Sequence, residues 1–314
     1  TADSRMSDIP STTPASPFVH LHVQSMYSLY DGIGSPDDLV DRAKELGYDA
    51  IALTDRHAFY GAVEFYEAAH KAGVKPIIGV IVSVAPNKHT DKRPTIDKHT
   101  SNLVLLAETN EGYQNLLKLI SISYLEGFYY RPRVDKDLLR QYGEGLIALS
   151  GDLKGEIPAA LASHDTDRSE KLVKEYRAIF GPTRFFLELV HHPESPSQNE
   201  VNQLLITLAE KTGTPLVVTK EAHYLHAEDA EALDVLMCIH DGKTIDDPSR
   251  KSLSNIDLSL CGPNDIASAY PHVPEAIENT RKIADRCRVE FTLGKNHLPA
   301  FDVPEGETPD SYLR

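Results

Sequence analysis

The sequence predicts an α/β protein: a parallel barrel of about seven strands covered by helices, followed by a mainly helical C-terminal extension. Three observations carry that prediction. Short, almost wholly apolar runs recur, such as Ala50-Ile51-Ala52-Leu53 and Leu216-Val217-Val218, as in strands buried on both faces. Segments with helical spacing and helix caps lie between them, the alternation expected of a parallel sheet. The number of runs favours closure over an open sheet, and 314 residues suffice for one barrel plus an extension.

Taken in order, the Ser-, Thr- and Pro-rich residues 1–17 read as a loose tail without a signal pattern. Phe18 to Gln24 is the first strand, and period-two alternation puts His20, His22 and Gln24 on one face. It opens into a polar turn ending in Asp31-Gly32. Ser35 caps the next helix, with Pro36, Asp37 and Asp38 in its first turn and Gly47 at its end. Ala50 to Thr54 is a buried strand leading into Asp55-Arg56-His57, and a helix over Ala62 to Ala72 stops at Gly73. Pro76 to Val84 and Asn102 to Ala107 are strands flanking the polar loop 86–101, and a helix follows over about 111–124. Strands at Leu146 to Ser150 and Phe185 to Val190 have helices near 155–162 and 168–179 between them. A helix over about 197–212 precedes the strand Pro215 to Thr219. Beyond Ala227, helices are expected near 229–239 and 274–287, but no core strand. The Pro- and Gly-rich end closes on the cap-like Thr308-Pro309-Asp310. The division is therefore a tail at 1–17, a barrel at 18–226 and a helical extension and linker at 227–314.

Composition excludes several classes. With 41% hydrophobic and 25% charged residues the chain builds a sizeable core. A net charge of −15 opposes indiscriminate binding of phosphate backbones, so any nucleic-acid contact is local or supplied by another domain. Cys238, Cys261 and Cys287 have no paired spacing, which leaves no zinc ribbon or disulfide framework and fits a reducing cytoplasm. No apolar run reaches membrane-spanning length.

Barrels of this kind collect chemistry where strands end. The ends here carry His22, Gln24 and Asp31; Asp55, Arg56 and His57; Asn102; Asp152; Glu188, His191 and His192; and Glu221 and His223, with Glu64 one helical turn into the second unit. Singly, such carboxylates are helix caps and such histidines are hydrogen-bonded loop residues. Their recurrence at one end of successive strands points to a metal or acid–base site.

The turn after the first strand resembles the first motif of the PHP (polymerase and histidinol phosphatase) family, with Gln24 where a second histidine is usual. The strings Ala52-Leu53-Thr54-Asp55, Gly61-Ala62-Val63-Glu64-Phe65-Tyr66, Gly73-Val74-Lys75-Pro76-Ile77-Ile78-Gly79 and Gly127-Phe128-Tyr129-Tyr130-Arg131-Pro132-Arg133 extend the resemblance. So do Leu149-Ser150-Gly151, Tyr224-Leu225-His226 through Asp246-Asp247-Pro248, and Pro304-Glu305-Gly306-Glu307-Thr308-Pro309. Together they are similar to the PHP domains that begin bacterial DNA polymerase III alpha subunits, over residues 18–314. The resemblance implies a PHP-type distorted (β/α)7 TIM-like barrel. It also implies a metal site whose remnants are His22, Asp31, Glu64, Asp152, Glu221 and His223, with Gln24, Arg56 and Asn102 at positions that the family fills with histidine.

Arg56 decides the expected state of that site. A guanidinium keeps its charge and has no lone pair to give a metal, but it pairs with carboxylates that otherwise need a cation. The expectation is a degenerate site without a cofactor, any divalent ion (Mg, Mn or Zn) sitting at the barrel mouth. The implied role is a non-catalytic scaffold for DNA replication in the cytoplasm. Its implied partners are the remainder of a polymerase chain, replisome proteins such as a proofreading subunit, and DNA through the full-length protein, with no membrane. Two alternatives stand beside it: a metal-dependent phosphoesterase or 3′–5′ exonuclease, and a free-standing phosphatase on a small substrate. Polymerase aspartates and a nucleotide-binding signature are absent from the sequence.

Overall fold

Each apolar run from residue 50 onward forms a strand in the computed structural model, which describes residues 17–296 and 302–313. The strands are β1 (Ala50–Leu53), β2 (Lys75–Val84), β3 (Ser101–Ala107), β4 (Leu146–Leu149), β5 (Phe185–Val190) and β6 (Leu216–Thr219), hydrogen-bonded in sequence order. Residues 18–24 close the ring. On one side Ala52 N donates to His20 O (2.9 Å) and Thr54 N to Val23 O (2.7 Å). On the other, Gln24 N donates to Ala222 O (2.8 Å) and Ala222 N to His22 O (3.1 Å). The lead segment thus lies between β1 and the exit of β6, and the sheet becomes a barrel.

The sheet is not all parallel, which corrects the sequence expectation. β1 with β2, β4 with β5, and β5 with β6 run parallel, whereas β3 opposes both β2 and β4. No helix lies between β2 and β3, so β3 returns antiparallel beside β2, pairing Ser83 with Asn102. Asn102 therefore reaches the rim from the start of a strand, not from an exit.

The helices are α1 (Pro36–Glu45), α2 (Ala62–Ala72), α3 (Asn110–Leu125), α4 (Lys136–Tyr142), α5 (Glu156–Ala162), α6 (Thr166–Phe180), α7 (Pro196–Thr212), α8 (Ala230–Asp241), α9 (Pro263–Ala269), α10 (Pro274–Arg286) and α11 (Pro309–Tyr312). Their starts follow from caps: Ser35 and Asp38 form a capping box on α1, and the hydroxyl of Ser195 caps α7. α4 and α9 were not expected from the sequence. Thr308 caps α11, where the cap-like string pointed.

Beyond the barrel, α10 seats on the floor opposite the strand exits. Val19 N donates to Thr280 Oγ1 (3.0 Å), Lys75 Nζ to Ala284 O (2.6 Å) and Asn279 Nδ2 to Leu216 O (2.7 Å). Arg281 pairs with Asp49 at 2.7 Å and Arg286 with Glu108 at 2.9 Å. Ile283, Ala284 and Cys287 join the interior cluster that holds Val19, Leu21, Ile77, Ile81 and Val104. The expected tail at 1–17 lies outside the described residues except for Pro17. Among the described residues no helix is long and apolar enough to cross a membrane.

Candidate functional site

The lead segment carries a β-bulge that sorts its histidines. The acceptors His20 and Val23 are three residues apart, while the donors facing them, Ala52 and Thr54, are two apart. One extra residue is therefore accommodated, and the alternation of faces slips. Val19 and Leu21 point into the barrel core and His22 and Gln24 into its mouth. His20 turns away: its Nε2 meets Cys261 O at 3.2 Å and its ring packs edge-on against Phe18 and Tyr48. The expectation that His20 shares a face with His22 and Gln24 is thereby corrected.

His22 Nδ1 donates to Glu188 Oε1 at 2.9 Å, and its Nε2 lies 3.9 Å from Glu221 Oε1. Burial alone would lower the His22 pKa. The Glu188 carboxylate, helped by Glu221 and Asp152, outweighs it and pushes the pKa up to about 9. The Glu188 contact thus favours the protonated form of His22 over that of a free imidazole. Glu188 is fully buried and also accepts from Gly151 N (2.9 Å) and Thr219 Oγ1 (2.6 Å).

Glu221 Oε1 gathers the other side of the mouth. It accepts from Gln24 Nε2 at 3.1 Å, and His223 Nε2 is 3.0 Å away. Burial would raise the Glu221 pKa, but His223, His22 and Arg56 together hold it well below the usual carboxylate range. Arg56 spans the gap. Its Nε donates to Asp31 Oδ2 at 2.8 Å, Nη1 to Asn102 Oδ1 at 3.3 Å, and Nη2 lies 3.9 Å from Glu221 Oε1. Asn102 Nδ2 passes the connection on to Asp152 Oδ1 at 3.2 Å. Burial, then the nearby Glu221 charge, raises the Asp152 pKa.

One network of contacts thus brings together His22, Gln24, Asp31, Arg56, Asn102, Asp152, Glu221 and His223. Glu64 stands aside from it and accepts from Tyr27 OH at 2.8 Å. Asp55 is buried under the turn, where it accepts from Ser25 N (2.7 Å) and from the hydroxyls of Ser25 and Ser28. His57 Nε2 sits 2.9 Å from Ser83 Oγ, away from Asp31 and Glu221. His191 packs against Tyr270, and burial keeps His192 neutral with a pKa near 4. The remnant ligand set omits Glu188 and Tyr27. Glu188 carried a signal, as the lone acid in the apolar run Phe185 to Val190.

The donor set does not fit a metal. Among the described residues, no group of three or more His, Cys, Asp and Glu side chains is arranged to hold an ion. The chemical reason is Arg56, whose donors occupy the space between the carboxylates and which has no lone pair to give a metal. His22 Nε2, Gln24 Oε1 and His223 Nδ1 are nonetheless buried without a hydrogen-bond partner.

A family model described as the PHP domain matches residues 20–192. DNA polymerase III subunit alpha of Treponema pallidum is 41% identical over 299 residues, covering 95% of this chain and 26% of that protein. The same subunit of Thermus aquaticus is 40% identical over 307 residues, covering 95% of this chain and 25% of that protein. The chain spans about a quarter of the length of these curated relatives. Among solved structures, an amidohydrolase from Chromobacterium violaceum aligns at TM-score 0.43 and 16% identity, over 65% of this chain and 87% of that one. Since the PHP model covers more than half of the 314 residues, the chain belongs to the PHP domain family.

Proposed function

We propose that the chain is the N-terminal PHP barrel of a replicative DNA polymerase III alpha subunit, working in the cytoplasm as a non-catalytic scaffold. The observation that carries the non-catalytic reading is Arg56, bonded to Asp31 and Asn102 and facing Glu221. An arginine there supplies the positive charge the carboxylates require and supplies no ligand. Relatives named DNA polymerase III subunit alpha, alike over 95% of this chain, support the replicative setting. On this reading the partners are the rest of the polymerase chain, replisome proteins such as a proofreading subunit, and DNA through the full-length protein. The remnant ligands are His22, Asp31, Glu64, Asp152, Glu221 and His223. The units are a tail at 1–17, the barrel at 18–226 and the extension at 227–314.

A second reading, a metal-dependent phosphoesterase or 3′–5′ exonuclease, is favoured by one observation: the unpartnered His22 Nε2, Gln24 Oε1 and His223 Nδ1 in the mouth. A divalent ion (Mg, Mn or Zn) at the barrel mouth would be its cofactor. The two separate in an exonuclease assay with Mn²⁺, Mg²⁺ or Zn²⁺ on single-stranded and mismatched primer ends. The scaffold reading expects no metal-dependent release of 3′ nucleotides. Turnover lost in both Asp31→Asn and His223→Ala, but kept in a surface control, would establish the enzyme instead.

A further inference from the structure

Outside the mouth, the segment 86–100 and the turn 126–133 form one surface, and Arg133 ties them together. Fully buried, it donates through Nε to Gly127 O (2.9 Å), through Nη1 to Asp97 O (2.9 Å), and through Nη2 to His89 O (2.6 Å) and Asp91 O (2.8 Å). The two acids of the segment are engaged by Arg93. Asp97 receives its Nε at 2.8 Å and an Nη2 bond at 2.9 Å, and Asp91 lies 3.2 Å from Nη2. Lys88, Lys92 and Lys98 are exposed, and Arg131 is exposed on the adjoining turn, whose one acid, Glu126, lies 3.8 Å from His89 Nε2. On a chain of net charge −15 this is a local basic surface.

The same surface shows aromatic faces to solvent. Tyr124, Phe128 and Tyr130 are 41%, 49% and 69% exposed. The rings of Tyr124 and Phe128 stack at 6.5 Å between centroids, and Tyr130 packs edge-on against Tyr129. Tyr130 has φ of 61°, a left-handed conformation that is costly for a bulky side chain. Tyr130 sits at the tip of a tight turn in which Tyr129 N donates to Arg131 O at 3.1 Å.

We propose that this surface is a stacking platform for single-stranded nucleic acid. The rings take base faces and the cations around them take phosphates, the combination by which strands are held without reading sequence. A duplex keeps its base faces stacked and offers the rings nothing. An acidic peptide would use the cations and leave the ring faces without a role. The acidic remainder of the chain repels phosphates and confines binding to this patch. The inference rests on this surface alone and does not depend on the state of the barrel mouth.

Fluorescence anisotropy of the 314-residue chain with a labelled oligo(dT) of about a dozen nucleotides, across a salt series, tests it. The expected result is binding about tenfold or more tighter than to duplex of the same length, with Phe128→Ala and Tyr130→Gly each weakening it about tenfold. Tyr130→Gly relieves the backbone strain, so its unfolding midpoint should hold or rise while binding falls. Arg131→Ala should reduce the slope of log K against log salt by about 0.7. No binding, equal binding of duplex, indifference to both aromatic variants, or a polyglutamate peptide binding as tightly as oligo(dT) would overturn the proposal.

Discussion

Arg56 is worth most where it meets the carboxylates, and its removal should be felt in stability before anything else. Truncating it leaves Asp31 without its partner and Glu221 with the two histidines alone, and losing one partner of an ionic cluster costs about 3–5 kcal/mol when it is fully buried. Asp31 is 41% exposed, and solvent screening there reduces the expected loss to about 2–3 kcal/mol for Arg56→Ala. Chemical denaturation in metal-free buffer measures it, and an unchanged midpoint would mean that Arg56 does not bear on these acids. His22 gives a second prediction. Its folded pKa of about 9 lies above the ordinary value of 6.5, so its protonated form stabilises the fold fully below about pH 6.5. That contribution, at most about 3 kcal/mol, fades as pH rises through 9. Unfolding free energy should fall between about pH 7 and pH 9 in the wild type and less steeply in His22→Gln. The identity of both residues was legible in the sequence. The partner of His22 was not, because Glu188 comes to it from a strand far away in the chain.

At the scale of elements, α10 belongs to the barrel's core as much as any strand does. Ile283 is fully buried among interior barrel residues, and Ile283→Ala should cost about 2–4 kcal/mol in denaturant unfolding. A chain ending at residue 226 should lack a cooperative unfolding transition, since the floor of the barrel would be open to water. A sharp transition in that truncated chain would contradict the role given to α10. Strand positions and long helices were readable because burial on both faces and the 3.6 period leave their marks on residue type. The direction of β3 was not, since a doubly buried strand has the same composition whichever way it runs. The bulge between His20 and Val23 also left no trace in the alternation, and that is why His20 was placed on the wrong face. α4 and α9 span seven residues each, as α5 does, and so short a run carries little period to read.

For the molecule as a whole, the fold and the rim where polar groups collect follow from the order of strands and helices. The state of that rim depends on which side chains reach one another. The family resemblance puts Gln24, Arg56 and Asn102 at positions where histidine is usual. Returning all three to histidine should restore neutral imidazole ligands beside Asp31 and Glu221, and zinc binding by titration should appear in the triple variant. No gain of binding would show that these three replacements are not what keeps the site from a metal. Whether Arg56 stands where a metal would is read out by elemental analysis of the purified wild-type chain after equilibration with Zn²⁺, Mn²⁺ and Mg²⁺. Metal should stay far below one ion per chain and be unchanged by Asp31→Asn. A stoichiometric ion that is lost in both Asp31→Asn and His223→Ala would contradict it.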